Sequence, residues 1–280
     1  MTNNKHSFLP LEIILTKPKR VSFPLSWVQH IPFSFYLISE LKPKIIVELG
    51  THTGNSLCSF AQIIQHLSLD GICYAVDTWE GDSHAGNYEQ SVYEDLFNYC
   101  TQNYPKQVVL VKKLFDEAVS DFNDNSIDLL HIDGLHTYEA VKNDFETWKN
   151  KMSANGIILF HDTQVKHADF GVYNFWAAIK DLYPSFEFRF GHGLGVLFIG
   201  NNHLNKSSNI VLDFINSPQN YEIFKLAGLC IDLEKQLQNS QFTKDVTKNR
   251  LDLVLNSRSY KYSQKVINYF KTITMVKNLE

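Results

Sequence analysis

Five short apolar runs recur along the first two hundred positions, and most are followed by residues at helical spacing. The runs are 45–49, 72–76, 107–113 ("QVVLVKK"), 127–133 ("IDLLHID") and 156–162 ("GIILFHD"). Their near-continuous Val, Ile and Leu content suits strands buried on both faces of a sheet. Between them, apolar spacing predicts a helix over 54–67, with Leu57, Phe60, Ala61, Ile64 and Leu67 sharing one side. Further helices are predicted near 88–102 and from Tyr138 to about Lys149, the latter turning Val141, Phe145 and Trp148 inward. "FSFYLISELKP", after Pro32, reads as a short helix closed by Pro43. A helix at 173–183 should end near Pro184, and "SFEFRF" and "LGVLFIG" should pair as an antiparallel hairpin across a glycine-rich turn. The alternation predicts a parallel sheet covered by helices on both faces, with functional groups at the carboxyl ends of the strands.

Beyond residue 200 the pattern changes to Asn, Ser and Lys with spaced apolar positions, as in "NIVLDFINS", "YEIFKLAGLCIDLEKQLQNS" and "YSQKVINYFKTITMV". These read as helices without a second chemical cluster. The expected division is an N-terminal extension and helix over 1–43, a catalytic domain over 44–200, and a helical appendage over 201–280. The terminal helices would either form a subunit interface, making a homo-oligomer, or fold back over their own domain.

Composition narrows the picture. At 44% hydrophobic and 20% charged, the 280-residue chain has the balance of a folded protein. Its formal charge of −4, with no run of Lys or Arg interleaved with aromatics, argues against a nucleic-acid partner. Cys58, Cys73, Cys100 and Cys230 are too dispersed for a zinc knuckle or a redox dithiol and read as reduced thiols. With no secretory leader pattern near the start and no apolar run long enough for a bilayer, the expected location is the cytoplasm.

The chemistry begins where the first strand meets its helix, in "VELGTHTGNS". Gly50 and Gly54 permit close backbone approach, Thr51 and Asn55 add small hydrogen-bonding groups, and Glu48 could orient the turn or accept from a cofactor. Asp77, ending the second strand, is placed to bond both hydroxyls of a ribose, and Trp79 could cover an adenine. The spacing is not the G-x-G-x-x-G of dinucleotide folds, nor a lysine-bearing phosphate loop. "VELGTHTGNS" followed by "AVD" instead resembles class I S-adenosylmethionine-dependent methyltransferases, over about Lys44 to Gly200. The resemblance implies a Rossmann-like seven-stranded fold, mostly parallel with a terminal antiparallel hairpin. It also implies S-adenosylmethionine held by Glu48, Gly50 and the turn, with Asp77 on its ribose and Asp116 or its neighbours near its adenine.

A second constellation starts at "LLHIDGLHTYEAV". Strand alternation puts His131 and Asp133 on one side, the next turn can return His136 toward the strand end, and His161 and Asp162 end the adjacent strand. Asp133 and Asp162 could share one cation; oxygen ligands with an imidazole suit Mg2+ or Mn2+, and zinc is also compatible. Such a cation would polarise a hydroxyl, with His136 as candidate general base and His192, in "FGHGLG", within reach of substrate. Asp133 as a helix cap and His136 in its first turn are the plain structural alternative.

"HIDGLHTYEAVKNDFETWKNKMSANGIILFHDT" and "GHGLGVLFIG" resemble more specifically a family containing macrocin-type sugar O-methyltransferases and cephalosporin hydroxylase-like proteins. That resemblance assigns Asp133 to the metal ligand after the fourth strand and His161–Asp162 to the pair after the fifth, His161 standing where a carboxylate is expected. The function implied is methylation of a hydroxyl on a saccharide or glycosylated small molecule, with or without a metal. The alternatives are a metal-independent N- or O-methyltransferase, a nicotinamide oxidoreductase, and a noncatalytic binding or assembly protein.

Overall fold

The computed structural model describes residues 10–167, 169–199, 206–239, 251–258, 260–261 and 264. The expected helix over 262–276 lies almost wholly outside these residues. In chain order the elements are α1 (Leu11–Ile14), α2 (Ile31–Leu41), β1 (Ile45–Leu49), α3 (Asn55–His66), β2 (Ile72–Asp77), β3 (Gly81–Asp82), β4 (Gly86–Asn87), α4 (Gln90–Asn103), β5 (Val108–Lys112) and α5 (Phe115–Ala118). They continue with β6 (Ile127–Ile132), α6 (Tyr138–Trp148), β7 (Met152–His161), α7 (Val172–Ile179), β8 (Ser185–Phe188), β9 (Leu194–Phe198), α8 (Lys206–Ile215) and α9 (Pro218–Asn239).

Seven strands form one sheet in the order β5-β2-β1-β6-β7-β9-β8, and β3 pairs with β4 in a separate hairpin. The first five are parallel, whereas β9 runs antiparallel to both β7 and β8. This is the Rossmann-like methyltransferase arrangement. Chain order reverses between β1 and β6, so the loops after these strands diverge and leave a crevice at their carboxyl ends.

Side-chain alternation divides the interior into two cores. Ile46, Leu129, Ile157, Leu159 and Val196 face a core built with α2, α3, α8 and α9. Val47, Leu49, Leu130, Ile132, Ile158 and Phe160 face the other, with α6 and α7. Because α2 packs over α3, ten of the twelve α3 residues are buried instead of the single stripe its spacing suggests. The α9 helix closes on the segment before α2 so tightly that a methyl group at Gly228 would lie 2.0 Å from the Gln29 carbonyl oxygen.

Three predicted elements differ in extent. β7 starts at Met152, four residues early, because Met152 pairs with Ile127 across a register shift. α7 ends at Ile179, its helical spacing giving way to turns ahead of Pro184. The helix expected near 88–102 starts at Gln90, because the stretch before it carries the β3–β4 hairpin, in which the paired Gly81 and Gly86 have φ +85° and +76°.

Candidate active site

The glycine turn is shaped first by backbone crowding. Gly50 has φ +84°, and a Cβ there would sit 2.1 Å from the carbonyl oxygen of Asp133, so only glycine lets the loops after β1 and β6 meet. Asp77 holds the same turn from the side. Its Oδ2 accepts from the amides of Thr51 (2.8 Å) and His52 (2.9 Å), and its Oδ1 from the amide of Trp79 (2.7 Å).

Gly50, His52, Asp77, Thr78, Tyr88 and Phe115 line a cavity of about 200 Å³ that also takes in Asp133, Gly134 and His136. His52 and Tyr88 stack at 4.1 Å, joining the glycine turn to the 78–88 segment. A larger cavity, about 570 Å³, lies between residues 14–22 and α9 and contains none of these groups. The smaller one holds the chemistry.

Several expected cofactor residues lie elsewhere. Glu48 is sealed in the interior: Ser56 Oγ donates to Oε1, and His131 Nδ1 lies 2.9 Å from the same oxygen. The indole of Trp27 donates to His131 Nε2 at 3.0 Å, so the imidazole must carry its proton on Nδ1 and donate it to Glu48. Asn55 exchanges hydrogen bonds with the backbone of Ser22 and donates to Pro24, tying the N-terminal segment to the start of α3. Gly54 sits against Leu96. Trp79 is buried against Tyr93 with its Nε1 donating to the His52 carbonyl, away from the cavity wall. Asp116 accepts from Asn143, while its neighbours Leu114 and Phe115 line the cavity. No local pattern could signal the Trp27 and Ser22 contacts, since their partners stand 104 and 33 residues away.

The second constellation does assemble. Thr137 Oγ1 caps α6 by accepting from the Ala140 amide, which starts the helix just after His136. His136 Nε2 then lies 2.9 Å from Asp162 Oδ2 and 3.6 Å from Asp133 Oδ1. Ligand atoms of Asp133, His136 and Asp162 all fall within 4.8 Å of one another. His161 stands behind this group: its Nδ1 is 3.1 Å from Asp133 Oδ1, and its Nε2 3.3 Å from the Gly191 carbonyl. Facing a carboxylate and a carbonyl, both nitrogens act as donors, the pattern of an imidazolium. The potential ligand set therefore contains His136 where the resemblance pointed to His161. His192, half-exposed, places Nδ1 3.3 Å from Asp162 Oδ1. Asp162 and His192 both adopt left-handed backbone, at φ +62° and +69°.

Charges in this group support one another. Burial alone would raise the Asp133 carboxyl and lower both imidazoles. For Asp133, the His161 charge and contacts from His136 and His161 outweigh burial and hold the carboxyl well below its ordinary range. Burial likewise opposes ionisation of Asp162, yet the same histidines and His192 keep it low. His136 is pushed up to about 10 and His161 to about 9, the two carboxylates overriding desolvation. His30, which donates from Nε2 to the Gly191 carbonyl at 2.8 Å, is depressed to about 3 by burial and then by the His161 charge.

Residues 47–163 match the family model of a methyltransferase domain. Over 190 residues, 68% of the chain, the sequence is 43% identical to protein y4gI of Sinorhizobium fredii, covering 21% of that protein. Over 125 residues, 42% of the chain, it is 32% identical to a protein of Acanthamoeba polyphaga mimivirus, covering 51% of it. The chain thus spans about a fifth and about a half of these curated relatives. A similar solved structure is the O-methyltransferase TomG of Streptomyces achromogenes, in complex with S-adenosylmethionine and involved in tomaymycin synthesis. That structure shares 15% identity at a TM-score of 0.45, over 65% of this chain and 82% of its own. Residues 47–163 thus match a methyltransferase domain, and the strand order is the one that the sequence resemblance implies.

Proposed function

We propose that the protein is an O-methyltransferase acting on a hydroxyl of a saccharide or glycosylated small molecule, assisted by a divalent cation. The observation that carries this reading is one shared cavity: Gly50 and Asp77 line it on one side, Asp133 and His136 on the other. A methyl donor and an acceptor hydroxyl would meet along that wall.

Asp133, His136 and Asp162 fit a cation. They converge, with one ligand atom from each within 4.8 Å of the others, and two of the three are carboxylates. When bound, Mg2+ or Mn2+ would lower the pKa of the acceptor hydroxyl, and an imidazole in the set suits manganese better than magnesium. The protein's own contribution is placement. Methyl transfer needs the acceptor oxygen in line with the methyl carbon and the departing sulfur, and the 78–88 segment and the histidines around Asp162 restrict that approach. His136 Nε2, between two carboxylates, serves as ligand or as proton donor to them, which leaves the general base unassigned to it.

A metal-independent reaction is the second reading, favoured by the histidines already set against both carboxylates. Labelled methyl transfer from S-adenosylmethionine to nucleoside-diphosphate sugars and methyl glycosides tests both. Loss of transfer on chelation and recovery with Mg2+ or Mn2+ is expected; transfer indifferent to chelator supports the second reading. Cofactor binding with no transfer to the panel would favour a binding or assembly role.

In the same reading residues 44–200 form the catalytic unit, with 1–43 and 201–280 as helical additions. Packing of α9 on the segment before α2 supports a fold-back cover, and a homo-oligomer remains the alternative arrangement. Among the described residues no helix is long and apolar enough to cross a membrane, in keeping with the proposed cytoplasmic location.

A further inference from the structure

His84, at the turn between β3 and β4, has no part in the scheme above, yet its ring packs on His136, and its chain neighbours Asp82 and Ala85 line the same cavity. Asp82 Oδ1 accepts from the amides of His84 and Ala85, fixing the turn. The imidazole then crosses to the segment after β7, where Nε2 lies 2.8 Å from Asp169 Oδ1. It stacks on Phe170 at 4.6 Å and lies nearly parallel to His136 at 5.7 Å. Its side chain is only 7% exposed, and Nδ1 is buried with no hydrogen-bond partner.

The pairing with Asp169 fixes the chemistry of the ring. A carboxylate accepts, so Nε2 carries a proton, and in the neutral ring Nδ1 keeps its lone pair. His136 is anchored in the same way, Nε2 being engaged by Asp162, and its Nδ1, which carries a proton in the imidazolium, is also buried without a partner. Two neighbouring imidazoles, each anchored by a carboxylate, thus present unpartnered nitrogens beside the proposed transfer site. A buried polar atom without a partner is costly, and such positions are completed by water, an ion or a ligand.

We propose that His84 binds the methyl acceptor: Nδ1 accepts a hydrogen bond from an acceptor hydroxyl, and Asp169 sets the tautomer that makes this possible. The proposal rests on the methyltransferase reading and deepens it, pointing to polyhydroxylated acceptors that present a second hydroxyl besides the one methylated.

Two substitutions separate this role from a structural latch, because an Asn amide reaches the position of Nδ1 and a Gln amide that of Nε2. With the nucleoside-diphosphate sugars and methyl glycosides above, His84→Asn should keep KM for the acceptor within about threefold, while His84→Gln should raise it tenfold or more. Both should bind S-adenosylmethionine like wild type. The reverse order, Gln active and Asn impaired, overturns the proposal in favour of a latch. Independently of turnover, two-bond proton–nitrogen correlation on 15N-histidine-labelled protein, with S-adenosylhomocysteine added, should show His84 as the Nε2–H tautomer. An Nδ1–H tautomer overturns the assignment. Failure of wild type to bind S-adenosylmethionine would instead strike the methyltransferase reading, while the tautomer result would still decide the question for His84.

Discussion

Two histidine–carboxylate groups sit two residues apart on the same strand side, one at His131 and the other at Asp133, and they use the same chemistry to opposite ends. Around His131 both ring nitrogens have partners, Trp27 and Glu48, and the side chains are sealed from solvent. Around Asp133 the carboxylates hold His136 and His161 protonated, and the matching is incomplete: His136 Nδ1 and the nearby His84 Nδ1 lack hydrogen bonds. The first network, sealed in the interior with Glu48 Oε2 as its one unpartnered oxygen, ties an N-terminal segment to the sheet; the second, at a cavity wall, has capacity left for a ligand. Motif reading does not separate the two, because both are acid–histidine pairs at strand ends.

The largest expected effect breaks the sealed group. His131→Ala should cost about 3–5 kcal/mol in urea unfolding, since it strands the buried Glu48 carboxylate and the Trp27 indole. A loss under 1 kcal/mol would show that the network is not what holds the N-terminal segment down. Next, Asp133→Asn, which keeps an acceptor oxygen for His161, should lower methyl transfer by roughly 10²–10³-fold at a smaller cost in stability than His131→Ala. Equal damage to stability and turnover at both positions would erase the contrast between them.

The smallest effect sharpens the comparison with a carboxylate that has no histidine at all. Asp144, buried on α6 near Phe115 and Gly134, is raised from 3.8 to about 7 by desolvation and then by Asp116. Between about pH 4 and 7 the folded state keeps a proton that the unfolded chain has lost, so stability falls as pH rises through that window. Asp144→Asn should therefore stabilise by roughly 1–3 kcal/mol at pH 8 and by nothing near pH 4. A gain independent of pH would assign the effect to packing.

The sheet and the glycine turn were legible because local spacing determines them: "KIIVELG" alternates into both cores, and Gly50 answers a backbone contact with Asp133. Asp133 and Asp162 were legible as neighbouring strand ends. The partners of Glu48, Asn55 and Trp79 were not, because those contacts depend on how residues 20–30 and the 78–88 hairpin lie across the sheet. His84 was readable only as a polar turn residue; its one signal was "GDSHAG", an aspartate two residues before a histidine between two glycines. The resemblance pointed to His161 as a ligand; it ends β7 with Nδ1 on Asp133, while His136 meets both carboxylates from the loop between β6 and α6.

The reversal of chain order between β1 and β6 divides the centre by ancestry along the chain. Gly50, Asp77 and His84 come from the stretch before the turn at 123–126, whereas Asp133, His136, Asp162 and Asp169 come after it. That turn is largely exposed, with Asn125 in left-handed backbone at φ +58°. A chain nicked there would leave two polypeptides, neither with a complete centre, and recovered catalysis would report their reassociation. Each side of the centre is thus the property of one half of the chain.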